Sequence, residues 1–333
     1  MNLRFMVQPG GSLSGRLRVP GDKSISHRAV MLGALAEGVT AVTGFLNGED
    51  CLCTMKAFRA MSVEIEQPDD TSLRIRGAGR LGLKRPPGEL DLGNSGTSMR
   101  LMADILSGQP FDTVLTGDES LRRRPMKRVT GPLAQMGARI ETTGQGTAPL
   151  RIHGDTALHG IDYAMPVASA QIKSCLLLAG LYAQGETAVT EPAPSRDHTE
   201  RMLAGFGYAV ARAGRRVSLR GGGRLQAQPV AVPGDISSAA FLMVGAAITP
   251  GSVLVIENVG INPTRTGVVE ILRLMGAEIE LLDAREASGE PVADLRVSGG
   301  SLKGIRIPES LVPLAIDEFP VIFIAAACAE GET

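Results

Sequence analysis

Tryptophan is absent from the chain, and only three tyrosines and eight phenylalanines are present. A base-stacking platform or a sugar-stacking groove has little to be built from. The net charge is −1, so no global field draws the protein to nucleic acid or to a membrane surface. No apolar run reaches the length of a membrane span. The opening MNLRFMVQPGG has neither an apolar signal core nor an Arg/Ser-rich transit pattern. Cysteines are few: Cys51, Cys53, Cys175 and Cys328. The C-x-C pair has no second cluster, so neither a metal site nor a disulfide framework is expected. These absences point to a cytoplasmic protein. What is there is 44 % hydrophobic residues, 41 glycines and 20 prolines in 333 residues. That describes a well-cored chain of two domains, three at most, at roughly 100–200 residues each. Many short elements joined by tight turns should build it.

An internal repeat organises the chain. The phrases Met61-Ser62-Val63, Met136-Gly137-Ala138, Phe206-Gly207-Tyr208 and Met275-Gly276-Ala277 recur at a spacing of about 70 residues. Each is followed by a short alternating strand that ends on glycine: Gly77, Gly154, Gly221 and Gly299. Ahead of each phrase a strand enters a turn and then a dense apolar helix: AVMLGALA, RLMADILSG, SCLLLAGLYA and AAFLMVGAA. Helices apolar nearly all round should be buried on every side. A second, amphipathic helix then precedes the phrase, as the stripe Val268, Ile271, Leu272 and Met275 shows. Each unit therefore reads βαβαββ, in an α/β fold with helices packed inward. A fifth copy opens near Pro313, where Ala329–Thr333 matches Ala183–Thr187. The chain ends there between a helix and its strand, so the expectation is a fragment or a chain completed by another polypeptide.

Two motifs are decoys. Gly77-Ala78-Gly79-Arg80-Leu81-Gly82 fits G-x-G-x-x-G, but the LKRPPG that follows cannot open the helix a dinucleotide site needs. Gly21-Asp22-Lys23-Ser24 resembles the end of a P-loop, yet Gly and Lys are not adjacent. The chemistry lies in the turns before the buried helices. Lys23, Ser24, His27 and Arg28 crowd one such turn, and basic residues there oppose the helix dipole unless an anion shares the site. In the second copy, Gly93-Asn94-Ser95-Gly96 leaves room for a ligand to approach the backbone, the plain alternative being a helix cap. Arg122, Arg123 and Arg124 precede Pro125, which fits a first helical position. One of these arginines could hold an anion bidentately while the others stay solvated. Ser169, Ala170 and Gln171 open the third copy's helix. The run Ser195-Arg196-Asp197-His198 has triad residue types at spacing that suits a cap instead, leaving Arg196 as an anion ligand. Asp317-Glu318 opens the fifth helix, where an acid complements the dipole. Together these helix ends would suit a polyanionic small ligand, with no cofactor motif in competition.

The segments PGDKSISHR (20–28), LGNSGTSMRL (92–101), SLRRRPM (120–126), SAQIKS (169–174), SRDHTERM (195–202) and IDEFPV (316–321) resemble the 5-enolpyruvylshikimate-3-phosphate synthase family, in the family's order along the whole chain. The resemblance implies a two-domain fold of βαβαββ units. One domain would comprise residues 21–231, and the other residues 1–20 with 232–333, incomplete within its second repeat. It implies transfer of the enolpyruvyl group of phosphoenolpyruvate to shikimate 3-phosphate, through a tetrahedral intermediate. No cofactor, metal, nucleic acid or membrane takes part, and the full-length protein would be monomeric. Lys23 would contact both substrates and serve catalysis. Ser24 and Arg28 would hold the shikimate part, Ser169, Ala170 and Gln171 would line it, and Arg196 would reach its phosphate. Gly96 and Arg124 would face phosphoenolpyruvate, and Asp317 would accept a proton. Domain closure would expel water from these groups. The family continues with further basic residues that this sequence lacks, a missing C-terminal quarter, so the chain alone is expected to be inactive. The alternatives are the sister transferase acting on UDP-N-acetylglucosamine, and a non-catalytic anion-binding piece of a split assembly.

Overall fold

The repeated phrases fold into four copies of one sheet. A computed structural model describes Arg4, Met6, Gln8 and residues 10–333; residues 1–3, 5, 7 and 9, part of the segment assigned above to the second domain, lie outside the described residues. After β1 (Ser14–Arg18), the first repeat contributes α1 (Lys23–Leu35), β2 (Glu37–Thr43), α2 (Glu49–Ala60), β3 (Glu64–Asp69) and β4 (Ser72–Ala78). The second has β5 (Leu90–Asp91), α3 (Gly96–Ser107), β6 (Thr113–Thr116), the short α4 (Glu119–Arg122), α5 (Lys127–Gln135), β7 (Arg139–Glu141) and β8 (Leu150–His153). The third has β9 (Asp162–Ala164), α6 (Ala170–Gly180), β10 (Glu186–Thr190), α7 (His198–Gly205), β11 (Val210–Ala213) and β12 (Arg216–Arg220). Next come β13 (Val230–Ala231) and the fourth repeat: α8 (Ile236–Ala247), β14 (Val253–Gly260), α9 (Gly267–Leu274), β15 (Glu278–Ala287) and β16 (Glu290–Ser298). The last helix, α10 (Phe319–Ala327), begins a fifth copy, and Lys303 bridges Glu330 in parallel as His159 bridges Gln184 in the third.

The sheets run β13-β2-β4-β3, β5-β6-β8-β7, β9-β10-β12-β11 and β1-β14-β16-β15. In each, the opening strand is parallel to its neighbour and the next pair is antiparallel. The first and fourth repeats have exchanged opening strands: β1 serves the fourth and β13 the first. The chain accordingly divides into two compact units. One holds the described residues up to Pro20 with Gly234–Glu286 and Pro291–Thr333; the other holds Gly21–Pro233 and the turn Ala287–Glu290. Each has its own apolar core.

Local chemistry explains the repeated phrases. At the end of α2, Ser62 N–H donates to the Arg59 carbonyl and Val63 N–H to that of Phe58. The same pair of bonds closes α5, α7 and α9. This is the Schellman arrangement, which puts its hinge residue in left-handed backbone. Gly137, Gly207 and Gly276 accept that at no cost, whereas Ser62 holds φ = 69° with a side chain. The strand-ending glycines answer to space instead. A Cβ on Gly77 would meet the Ala36 carbonyl oxygen at 2.0 Å, and one on Gly221 would meet that of Ala183 at 2.0 Å.

Helix α1 is buried from Ile25 to Leu35, and α6 from Ile172 to Gly180. The expectation of burial on every side fails for α8 and α10, where Phe241 is 64 % and Phe323 62 % exposed. Among the described residues, their unit has two such helices rather than three, so one flank of each faces outward.

Candidate functional site

In the unit built from Gly21–Pro233, the starts of α1, α3 and α6 are joined by polar side chains. Asp22 caps α1, its carboxylate accepting from Ile25 N–H at 2.9 Å, and so offsets the basic first turn. Lys23 is exposed, with its ammonium 3.5 Å from the Asp50 carboxylate at the start of α2. Ser24 is half-buried, and its carbonyl accepts from Arg28 Nη1 at 2.9 Å. Arg28 itself is buried; Nε donates to Thr199 at 2.7 Å and Nη2 to Ser174 at 2.9 Å. Burial lowers its pKa, against the pull of Glu200 and Asp22. His27 lies beneath, in a file of buried hydroxyls. Its Nδ1 is 2.8 Å from Thr54 Oγ1, which is 2.6 Å from Ser98 Oγ, itself 2.6 Å from Ser95 Oγ. Burial, then Arg28 and Lys23, pushes the imidazole down to about 3, so it is neutral at working pH.

At the start of α3, Ser95 caps the N–H of Ser98 at 3.2 Å. A Cβ on Gly96 would stand 2.8 Å from Arg124 Nη1, so glycine there leaves that guanidinium tip its place against the backbone, with Arg100 Nη1 at an ordinary contact distance of 3.5 Å. Arg124 donates to the Asn94 side-chain carbonyl, and Arg100 to Gln171 Oε1 at 2.7 Å. Ser169 caps α6, and Ala170 and Gln171 form its first turn. A cavity of about 60 Å³ opens among Arg100, Arg128, Ser169 and Gln171. Among the described residues no carboxylate lies within 4.0 Å of Arg100, Arg124 or Arg128. Burial lowers the Arg100 pKa, and then repulsion from Arg124 and Arg128 lowers it further. Arg100 and Arg124, whose close partners are neutral amides, form with neighbouring Arg128 a ready anion site.

Two local expectations need correction. Pro125 does not open a helix: it bridges Thr147, Met126 N–H donates to the Gly146 carbonyl, and α5 starts only at Lys127. The arginine run therefore spans α4 and a turn, with Arg123 paired to Glu119. Nor does the Ser195–His198 run make a side-chain cap. Asp197 occupies the cap position of α7, but its carboxylate takes Arg201 and Arg212. Arg196 is half-buried in the loop before it.

Several partners were not singled out from sequence. Arg100 follows Gly96 by one helical turn, a spacing that puts both on one face. Lys173 stood inside a motif read for its neighbours. In the other unit, Asp317 is exposed in the turn before α10, while the adjoining Glu318 is buried. Glu318 accepts from the Ser237 hydroxyl and lies 3.5 Å from Arg265, which donates to Ser237 at 2.6 Å. Nothing in the surrounding Asn-Pro-Thr-Arg-Thr-Gly flagged Arg265. Among the described residues no cluster of three potential metal ligands occurs, and burial raises the Cys51 thiol to about 12.

Sheets of βαβαββ repeats with guanidiniums gathered by the starts of α3 and α6 define a repeat-built α/β protein with a site suited to anionic small molecules. Comparison with known proteins gives the particular family. The profile of EPSP synthase (3-phosphoshikimate 1-carboxyvinyltransferase) matches residues 7–333. A 3-phosphoshikimate 1-carboxyvinyltransferase of Methylococcus capsulatus is 70 % identical over 329 residues, 99 % of this chain and 75 % of that protein. One from Alkalilimnicola ehrlichii is 66 % identical, over 99 % of this chain and 74 % of that protein. The EPSP synthase structure from Acinetobacter baumannii superposes with a TM-score of 0.91 at 60 % identity, covering 97 % of this chain and 73 % of that one. The chain belongs to the EPSP synthase family. These likenesses favour that reading over the UDP-sugar transferase and over a non-catalytic anion binder.

Proposed function

We propose the following roles in the family's reaction, in which the enolpyruvyl group of phosphoenolpyruvate passes to the 5-hydroxyl of shikimate 3-phosphate and phosphate is released. This is a transferase step of the shikimate pathway towards aromatic amino acids. Lys23, Ser24, Arg28, Ser169, Ala170 and Gln171 receive the shikimate ring, and Arg196 its phosphate. Gly96 and Arg124 receive phosphoenolpyruvate. The 5-hydroxyl gives its proton to Asp317 as its oxygen bonds to C2 of phosphoenolpyruvate, whose methylene carbon takes a proton. Loss of a methyl proton and of phosphate from the tetrahedral adduct then completes the transfer. Cations at the helix starts stabilise the charge that moves onto the leaving phosphate. The observation that carries this reading is the cluster of Arg100, Arg124 and Arg128, in which Arg100 and Arg124 bond only neutral amides at close range. Unpaired thiols, buried at Cys51 and Cys175, fit a cytoplasmic protein; monomeric action rests on the family resemblance alone.

Calorimetric titration tests it. Shikimate 3-phosphate should bind the 333-residue polypeptide, and Arg196→Ala should weaken binding at least about tenfold, as loss of a charge-assisted contact does. UDP-N-acetylglucosamine should give no heat. Absence of shikimate 3-phosphate binding, or preference for the sugar nucleotide, overturns the reading.

A further inference from the structure

Beneath the starts of α1, α6 and α7 lies a cluster of charges that touches no candidate substrate position. Lys173 has a side chain 0 % exposed. Its ammonium lies 2.9 Å from Glu191 Oε2 and 2.8 Å from Glu200 Oε1, and donates to the Ser195 carbonyl at 3.3 Å. Glu191 also accepts from the Ser195 hydroxyl. A buried ion cluster of this kind contributes little net stability, because desolvation offsets its attraction. Its geometry is more informative than its energy. Lys173 belongs to the first turns of α6, and its N–H donates to the Ser169 carbonyl at 3.0 Å. Glu191 and Ser195 are the two ends of the loop that leads to Arg196. Glu200 sits on α7 beside Thr199, which accepts from Arg28. One ammonium thus ties the Arg196 loop at two points to the turn that presents Ser169 and Gln171.

We propose that Lys173, acting through Glu191 and Ser195, is a positioning residue that sets Arg196 for the phosphate of the bound substrate. The inference rests on the reading of Arg196 as the phosphate ligand. Misplacing a binding group by about 1 Å costs up to roughly 100-fold, and here the loss should fall on the phosphate alone.

The test compares dissociation constants for shikimate 3-phosphate and for shikimate, which lacks the phosphate. Lys173→Met strands two buried carboxylates and endangers folding, so Glu191→Leu is the informative change, since Glu200 stays on the ammonium. Circular dichroism and a thermal melt confirm that the variant is folded. Glu191→Leu should weaken shikimate 3-phosphate binding roughly 10- to 100-fold and leave shikimate binding within about twofold. Glu191→Gln, able to accept one of the two bonds, should fall between. In an Arg196→Ala background, Glu191→Leu should add nothing, the mark of action through Arg196. Equal weakening of both ligands, or of neither, overturns the proposal. If Arg196→Ala itself leaves the discrimination between the ligands unchanged, the underlying phosphate reading falls instead.

Discussion

Two buried ionisable side chains in the three-repeat unit make opposite demands on pH. His27 is held near 3, against an ordinary value of about 6.5. The unfolded chain therefore takes up a proton that the folded one refuses. Stability from this site is complete above pH 6.5 and is lost as pH falls towards 3, by about 5 kcal/mol in the limit. His27→Gln should flatten that decline in urea titrations at pH 7, 5 and 4; an equal decline in both proteins would sink the idea. Asp104, buried on α3, is raised well above the usual carboxylate range, by burial first, against its bond from Ile105 N–H. Here the unfolded chain ionises first, so stability is complete below about pH 4 and falls as pH rises. Asp104→Asn should stabilise the protein at pH 7 and make little difference at pH 4. Neither residue announced itself in sequence. His27 stood in a motif of surface-type residues, and it is burial first, then the nearby Arg28 and Lys23, that keeps it neutral. The candidate ligands were legible because helix starts are local, whereas partnerships such as Arg28–Ser174 and Arg100–Gln171 join segments far apart in the chain.

At the scale of elements, the four Schellman ends form an internal comparison. Three place glycine at the left-handed hinge and one places Ser62 there. Left-handed backbone costs a residue with a Cβ about 1 kcal/mol, so Ser62→Gly should raise stability by up to that amount, less the entropy glycine adds to the unfolded chain. Gly207→Ala, at φ = 77° with its nearest side-chain atom 3.9 Å away, should cost a similar amount through conformation alone. Chemical denaturation measures both, and a Gly207→Ala variant as stable as the parent would contradict the account. These ends were readable because a cap is written in four or five consecutive residues. The exchange of β1 and β13 was not readable from local pattern, only from the family resemblance that joined residues 1–20 to 232–333. Which strand opens a sheet depends on pairing between residues about 200 apart in the chain. Pro125 misled for a related reason: its bridge to Thr147 overrides a preference for the first helical turn.

The two units differ as whole bodies. In the three-repeat unit every sheet is completed by strands from Gly21–Pro233, and α1 and α6 are buried along nearly their full length. Its exposed large apolar residues are scattered, Leu81 and Val167 in loops and Val39 on β2. In the other unit α8 and α10 pack together yet present Phe241, Phe323 and Ile324 outward, each more than half exposed. Exposed apolar groups on two packed helices offer hydrophobic dyes more surface than single groups in loops do. A polypeptide of residues 21–233 should therefore fold cooperatively by itself. It would lose the bond of 2.7 Å between His198 and Glu290, a cost of about 1–3 kcal/mol for a buried group left unpaired, which a core of three closed sheets can bear. It should unfold in one urea transition and leave 8-anilinonaphthalene sulfonate nearly dark. The 333-residue polypeptide should light the dye under native conditions, and Phe241→Ser with Phe323→Ser should dim it without lowering helix content. Strong dye binding by residues 21–233, or an undimmed signal in the double variant, would place the apolar surface elsewhere and remove the distinction between a closed unit and an open one.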